Sequence, residues 1–167
     1  MTRIPIVNEQ DEFLYFKDFY EATRDEIRQI TRLHVFNSAG EYLLAQRQKG
    51  KILEPGVWGP TVAGTVDEGE TYETNVVKET EEELGLTGLD IQFIKKYYQH
   101  GPNGKRYCAV FTATTDQRAE DLTLQEEEVA DARFVSLPEL FAWYDRSPED
   151  FTKSFGETIE LLKEMKK

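Results

Sequence analysis

The sequence predicts an α+β sandwich with a β-hairpin added at its N-terminal edge. Three observations predict it. The chain has 167 residues, the size of one domain, so residues 1–167 are expected to form a single unit with 1–29 as an extension. Strand-like runs outnumber helical ones and do not alternate strictly with them, which points away from a doubly wound α/β fold. One helix, Thr71 to Leu84, stands out, stopped by Gly85 as a C-terminal cap.

The elements follow in order. Ile4 to Val7 and Phe13 to Phe16 read as short strands around the polar turn Asn8 to Glu12, followed by a polar stretch from Glu21 to Arg28. Ile30 to Phe36 and Tyr42 to Gln46 flank Asn37-Ser-Ala-Gly40, which is good hairpin-turn chemistry. A basic loop with Arg47, Lys49 and Lys51 follows. Pro55, Gly56, Gly59 and Pro60 then break the chain around Trp58, and Thr61 to Gly64 forms a short strand entering a turn. Beyond the main helix, Ile91 to Tyr98 and Arg106 to Thr114 read as long strands joined by Gly101-Pro-Asn-Gly104. Ala132 to Leu137 reads as another strand. Two helices are predicted to close the chain, Pro138 to Tyr144 and Phe151 to Lys166, the latter with Phe155, Ile159 and Leu162 on one stripe.

Composition narrows the function. A formal net charge of −12 excludes long nucleic acids as expected partners, because backbone binding needs Lys and Arg to displace condensed counterions. A phosphorylated ligand would be repelled unless a cation or a local basic patch intervened, so an acidic protein acting on phosphates implies a bound metal. Cys108 is the single cysteine; it excludes an internal disulfide and a thiolate zinc cluster, and reads as a small core residue. No apolar run approaches the length of a membrane span, and the opening MTRIPIVNEQDEF lacks the apolar core of a signal peptide. No membrane partner is expected, and the cytoplasm is the expected address.

Residues 64–86, GTVDEGETYETNVVKETEEELGL, carry the chemistry. At about 100° per residue, Glu79, Glu82 and Glu83 share one arc of the helix, with Val77, Thr80 and Leu84 on another roughly 140° away. Three neighbouring carboxylates repel one another, and a hard divalent cation reverses that cost; magnesium suits a helix face that covers only one side of the ion. An acidic solvated helix is the bland alternative.

The segment resembles the Nudix box, G-x5-E-x7-R-E-U-x-E-E-x-G-U with U aliphatic. Gly64, Glu70, Glu79, Glu82, Glu83, Gly85 and Leu86 are in register; Lys78 stands where the family has Arg, and Thr80 where it has an aliphatic residue. The resemblance implies a Nudix-type α/β/α sandwich with a mixed sheet and a hydrolase cutting a diphosphate linkage in a nucleotide or related small molecule. It assigns Glu79, Glu82 and Glu83 as ligands of Mg2+, with Mn2+ as a substitute, and adds the Gly64 carbonyl. Bound cations would neutralise and position the diphosphate and lower the pKa of the attacking water. Lys78 offers a point charge in place of a rigid fork, and the Thr80 hydroxyl needs a partner.

Three further positions follow from the resemblance. Glu126, Glu127 and Glu128 precede a strand-like ARFVSL, and the spacing to Phe134 points to Glu128 as a further acidic ligand or base, with an ordinary acidic loop as the alternative. The catalytic set is therefore Glu82, Glu79 and Glu128. Arg47 and Lys49 match basic residues that contact substrate phosphate in relatives, or belong to a solvated loop. Trp58 reads as a packing aromatic, and His34 and His100 lack metal-ligand spacing.

The VNEQDEF opening and the RLHVFNSAGEYLLAQR hairpin look most like the branch of the superfamily that includes isopentenyl-diphosphate isomerase. That enzyme has a catalytic Cys and a metal-binding His around the box glycine, where this chain has Ala63 and Thr65. Its second catalytic carboxylate precedes a strand where this chain reads Lys105-Arg106-Tyr107. Hydrolysis is therefore the expected chemistry. The competing reading is a fold that binds a nucleotide without cutting it, against which stand the four retained box carboxylates. A homodimer through the added hairpin is a further expectation.

Overall fold

A computed structural model describes residues 2–166. The chain opens with a hairpin, β1 (Arg3–Val7) and β2 (Phe13–Asp18). Its turn is organised by Asn8, whose Oδ1 accepts from the backbone N–H of Gln10 and Glu12, both at 2.9 Å. β1 buries Ile4, Ile6 and Val7 and joins the body through Ile6 and Val7 against β3 (Ile27–Phe36). Strand β3 starts three residues before the expected Ile30, because this pairing satisfies backbone groups in a stretch whose polar side chains read as a loop.

Strand β3 is the centre of the mixed sheet. It runs parallel to β8 (Gly104–Thr114) from Arg28 opposite Arg106 to Phe36 opposite Thr114, and antiparallel to β6 (Val62–Thr65), with Arg32 opposite Ala63 and Thr31 opposite Gly64. β7 (Gln92–Gly101) forms the long hairpin with β8. β4 (Tyr42–Arg47) leaves β3 after one pair, Phe36 opposite Tyr42, and continues with β5 (Trp58–Gly59) and β9 (Val129–Val135). The sheet therefore opens between β3 and β4, and a cleft forms in that gap.

The two-residue period of the strands sorts the core into layers. Leu33, Val35, Leu43, Ala45, Ala109 and Phe111 pack with Val76 and Leu84 of α1 (Tyr72–Leu84). The alternate residues Tyr42 and Leu44 pack with Leu140 of α2 (Leu137–Arg146) and with Phe155, Ile159 and Leu162 of α3 (Phe155–Lys166). Cys108 is buried with Val110 and Leu161. Helices cover both faces, giving the expected α/β/α sandwich; each fully buried Leu contributes about 2 kcal/mol.

Two expectations are corrected. The last helix begins at Phe155 rather than Phe151: Pro148–Asp150 is a 3-10 turn, and Phe151 pairs with Trp58. Thr152 donates its N–H to the Trp58 carbonyl at 2.8 Å, a bond available only to extended chain. Val77 does not face the core; it is 43% exposed, whereas Val76 is buried, so the apolar stripe of α1 is Val76, Thr80 and Leu84.

Candidate functional site

Helix α1 is fixed at both ends. Thr71 and Thr74 form a reciprocal cap at its start. Gly85 closes it at φ 67°, where a Cβ would meet Thr123 Cβ at 2.8 Å, so this position needs glycine for both conformation and space. The loop that passes so close donates Thr123 N–H to the Leu84 carbonyl and Gln125 N–H to the Glu83 carbonyl. This tether places Glu128 beside α1.

The turn before the helix is held by a buried amide that the sequence reading missed. Asn75 Nδ2 donates to the Thr65 carbonyl at 2.9 Å and to Glu70 Oε2 at 2.8 Å, and its Oδ1 accepts from the Thr31 hydroxyl at 2.6 Å. Glu70 also accepts from the Asp67 N–H and pairs with Lys78. Lys78 reaches Asp67 at 3.0 Å and Glu79 at 3.7 Å, so it joins three acidic groups, and its ammonium is held well above its usual pKa against the cost of burial. The Thr80 hydroxyl finds its partner in the Val76 carbonyl at 2.6 Å. The signal for Asn75 was only its place one helical turn after Thr71, since an Asn inside a helix is otherwise unremarkable.

Gly64 lies directly against Glu79: a Cβ there would meet Glu79 Cγ at 2.6 Å and Asn75 Oδ1 at 3.0 Å. The glycine lets the Glu79 stem cross the strand. Burial pushes the Glu79 carboxyl up to about 7, eased by Lys78 and reinforced by Glu82, and pushes Glu83 up to about 8, reinforced by Glu79 and Glu128. Glu82 is exposed on the same arc. Among the described residues no three acidic, His or Cys side chains converge into a ready-made cage. Glu79 and Glu83 are nevertheless desolvated hard oxygen donors, each raised by a neighbouring carboxylate, and this chemistry fits a divalent cation such as magnesium.

Glu83, Gly64, Glu128 and Arg47 line a cleft of about 230 Å3 between β3 and β4. Glu128 pairs with Lys51 at 2.7 Å, while Glu126 and Glu127 are exposed away from the cleft, which singles out Glu128 in the acidic run. Arg47 donates to the Leu53 and Glu54 carbonyls, holding the following loop. Lys49 is exposed and does not line the cleft. Trp58 packs edge-on against Trp143, with Arg133 over its ring. His34 is buried against the Tyr42 hydroxyl at 2.8 Å and held neutral by burial, its pKa near about 3, and His100 is exposed.

The N-terminal hairpin supports this site. Asp11, with φ 61°, accepts from the Tyr72 hydroxyl at 2.9 Å, from Gln29 at 2.8 Å and from Lys96 at 2.5 Å. Arg3 pairs with Glu68 and accepts its N–H, so the extension braces both α1 and the turn leading into it.

A cleft between split strands with a carboxylate-bearing helix at its mouth is the arrangement of a Nudix domain, and the chain belongs to that family: the family model described as NUDIX domain matches residues 27–155. It is similar to an uncharacterised Nudix hydrolase of Pseudomonas aeruginosa, 37% identical over 110 residues, covering 66% of this chain and 63% of that protein. It is also similar to an isopentenyl-diphosphate Delta-isomerase of Klebsiella pneumoniae, 30% identical over 124 residues, covering 71% and 66% of the two chains. A crystal structure from Deinococcus radiodurans shares the fold with a TM-score of 0.81 at 22% identity, covering 97% and 98%. The matched domain begins after the bracing hairpin.

Proposed function

We propose that residues 1–167 act as one magnesium-dependent hydrolase domain that cleaves a diphosphate linkage in a nucleotide or related small molecule, with manganese able to substitute. The observation that carries this reading is the packing of two α1 carboxylates at the cleft: Glu83 lines it, and Glu79 lies directly against Gly64, which lines it too. Glu79, Glu82, Glu83 and the Gly64 carbonyl would hold the cation, which supplies charge neutralisation and an acidified water. Glu128 lines the cleft and pairs with Lys51; it would accept a proton from water while Lys51 balances its charge. Arg47 holds the wall and presents its guanidinium to phosphate; Lys49 is reserved for a substrate long enough to leave the cleft. Ala63 and Thr65 at the cleft, in place of groups that protonate or bind metal, support hydrolysis over isomerisation. A cytoplasmic enzyme, dimeric through the exposed residues Phe13, Leu14 and Tyr15, completes the reading.

The test is a hydrolysis screen with magnesium over nucleoside di- and triphosphates, nucleotide sugars and dinucleoside polyphosphates, run beside an isopentenyl diphosphate isomerisation assay. Metal-dependent release of phosphate or phosphomonoester is the expected result. Tight nucleotide binding without turnover, or isomerisation, would replace it.

A further inference from the structure

Two buried guanidiniums line the cleft on the face of the sheet covered by α3. Arg32 donates to Glu157 at 2.8 Å and to the Tyr97 hydroxyl at 3.1 Å. Arg106 donates through Nε to Gln99, which in turn contacts the other oxygen of Glu157. A single carboxylate thus serves two cations, and Glu157 is itself part-exposed. Arg106 is 9% exposed, and its Nη2 is buried with no hydrogen-bond partner among the described residues.

A second orphan lines the same cleft. Thr152 Oγ1 is buried and has no partner among the described residues. It lies in the extended segment before α3, a helix of 12 residues whose first turn carries Glu157. Ser154 and Asn103 line the same wall. Buried polar groups in folded proteins are nearly always bonded, and a buried cation needs a counter-charge. An excess guanidinium charge, a lone hydroxyl and the positive end of a helix therefore meet in an otherwise acidic molecule.

We propose that Arg106, Arg32 and Thr152 form a phosphate subsite on the α3 side of the cleft, so that the substrate is a diphosphate bearing a further phosphoryl group away from the scissile linkage. The substrate part of this inference rests on the hydrolase reading; the subsite does not. A phosphate has enough acceptors to engage the unpartnered Nη2 of Arg106 and the Thr152 hydroxyl together. Arg is suited to this geometry where Lys is not.

The probe is inorganic phosphate added to metal-free protein, with melting temperature read against chloride and acetate at equal ionic strength. Phosphate should raise the melting temperature saturably, beyond either control, and Arg106→Gln should abolish the effect. Arg106→Lys retains the charge and should weaken the apparent phosphate affinity about tenfold, which keeps the test decisive if the Gln variant does not fold. Glu82→Gln should keep the phosphate shift. In the hydrolysis assay, Arg106→Lys should raise KM for substrates with the additional phosphoryl group more than for simple nucleoside diphosphates. The subsite is overturned if phosphate acts no more strongly than chloride or acetate, or if both Arg106 variants respond as wild type. A phosphate response without any diphosphate hydrolysis would refute the hydrolase reading alone, and hydrolysis without the response would refute the subsite alone.

Discussion

Replacing Glu83 with Gln is the most direct perturbation of the carboxylate pair. Burial, reinforced by Glu79 and Glu128, raises the Glu83 carboxyl from 4.5 to about 8, and burial raises Glu79 to about 7. Their folded-state pKa values lie above the unfolded value, so the native chain holds protons that the unfolded chain has released. Without metal, stability should therefore fall as pH rises from about 4.5 to about 8 and level off beyond. Each pKa unit corresponds to about 1.4 kcal/mol; Glu79 raises Glu83, so the two shifts are not independent, and water reaching the cleft screens both, which leaves a loss on the order of 3 kcal/mol. For a chain of this size that is about 6–12 °C in melting temperature. Glu83→Gln removes one charge at nearly constant shape, so the metal-free variant should melt several degrees above wild type at pH 8 and close to it at pH 5. Millimolar magnesium, binding the native state alone, should restore wild type most strongly at pH 8 and the variant much less. Hydrolysis by the variant should drop by orders of magnitude. The assay is thermal melting from pH 5 to 8.5, with and without magnesium, beside turnover. A flat or rising metal-free profile in wild type, or a Gln variant with wild-type slope, magnesium response and turnover, would refute the reasoning.

Gly64→Ala should cost at least about tenfold in turnover, roughly 1.4 kcal/mol in the barrier, with circular dichroism unchanged, because the added methyl displaces the Glu79 stem. Lys78→Arg should leave turnover unchanged or raise it, since a fork serves the Glu70 and Asp67 carboxylates as well as an ammonium does; a loss above about tenfold would give the ammonium a role of its own. Asn75→Ala leaves three bonded groups without a partner and should lower unfolding stability by about 2–3 kcal/mol in urea. Glu26 is held near about 2, chiefly by the Thr23 N–H and also by Tyr15 and Lys17. Its stabilisation is present above about 4.5 and lost as pH falls through about 2. Glu26→Gln should therefore destabilise at pH 7 and match wild type near pH 2, as read by melting temperature.

The sheet and α1 were legible because their signals are local: period-2 apolar runs, turn residues, a Thr start and a Gly stop. The strand start at Gly104 was not, because the hairpin pairing runs on to Gly101 opposite Gly104, through glycines that read as a turn, and the start at Ile27 was hidden because pairing with the distant strand β1 decides it. The same cause hid the extended run at Thr152, whose hydrogen bond goes to Trp58. Val77 was misplaced because neighbouring valines differ by one helical step, and a helical wheel drawn around the carboxylates does not say which valine faces the sheet. At the site, box residues were readable from the family resemblance, whereas Asn75, Arg32 and Arg106 were not. Arg32 and Arg106 sit in strands whose patterns predict burial, and a buried arginine is recognisable only once its partners are known.

The net charge of −12 sharpens what the cleft must accomplish. At physiological salt exposed charges are screened within about 8 Å, so the surface carboxylates set a weak general repulsion while nearby groups decide binding. Those nearby groups are unevenly matched. Lys51 is tied to Glu128 and Lys78 to Asp67 and Glu70, so their charges are largely offset, whereas Arg47 bonds neutral carbonyls and keeps its charge. One uncompensated guanidinium does not offset Glu79, Glu82 and Glu83 together with a diphosphate. On the hydrolase reading the remaining positive charge there would arrive with a cation, whereas on the α3 side the chain supplies it from Arg32 and Arg106. On that reading the cleft would divide one electrostatic task between an ion and the guanidiniums, and a ligand that carries negative charge at both places would satisfy both.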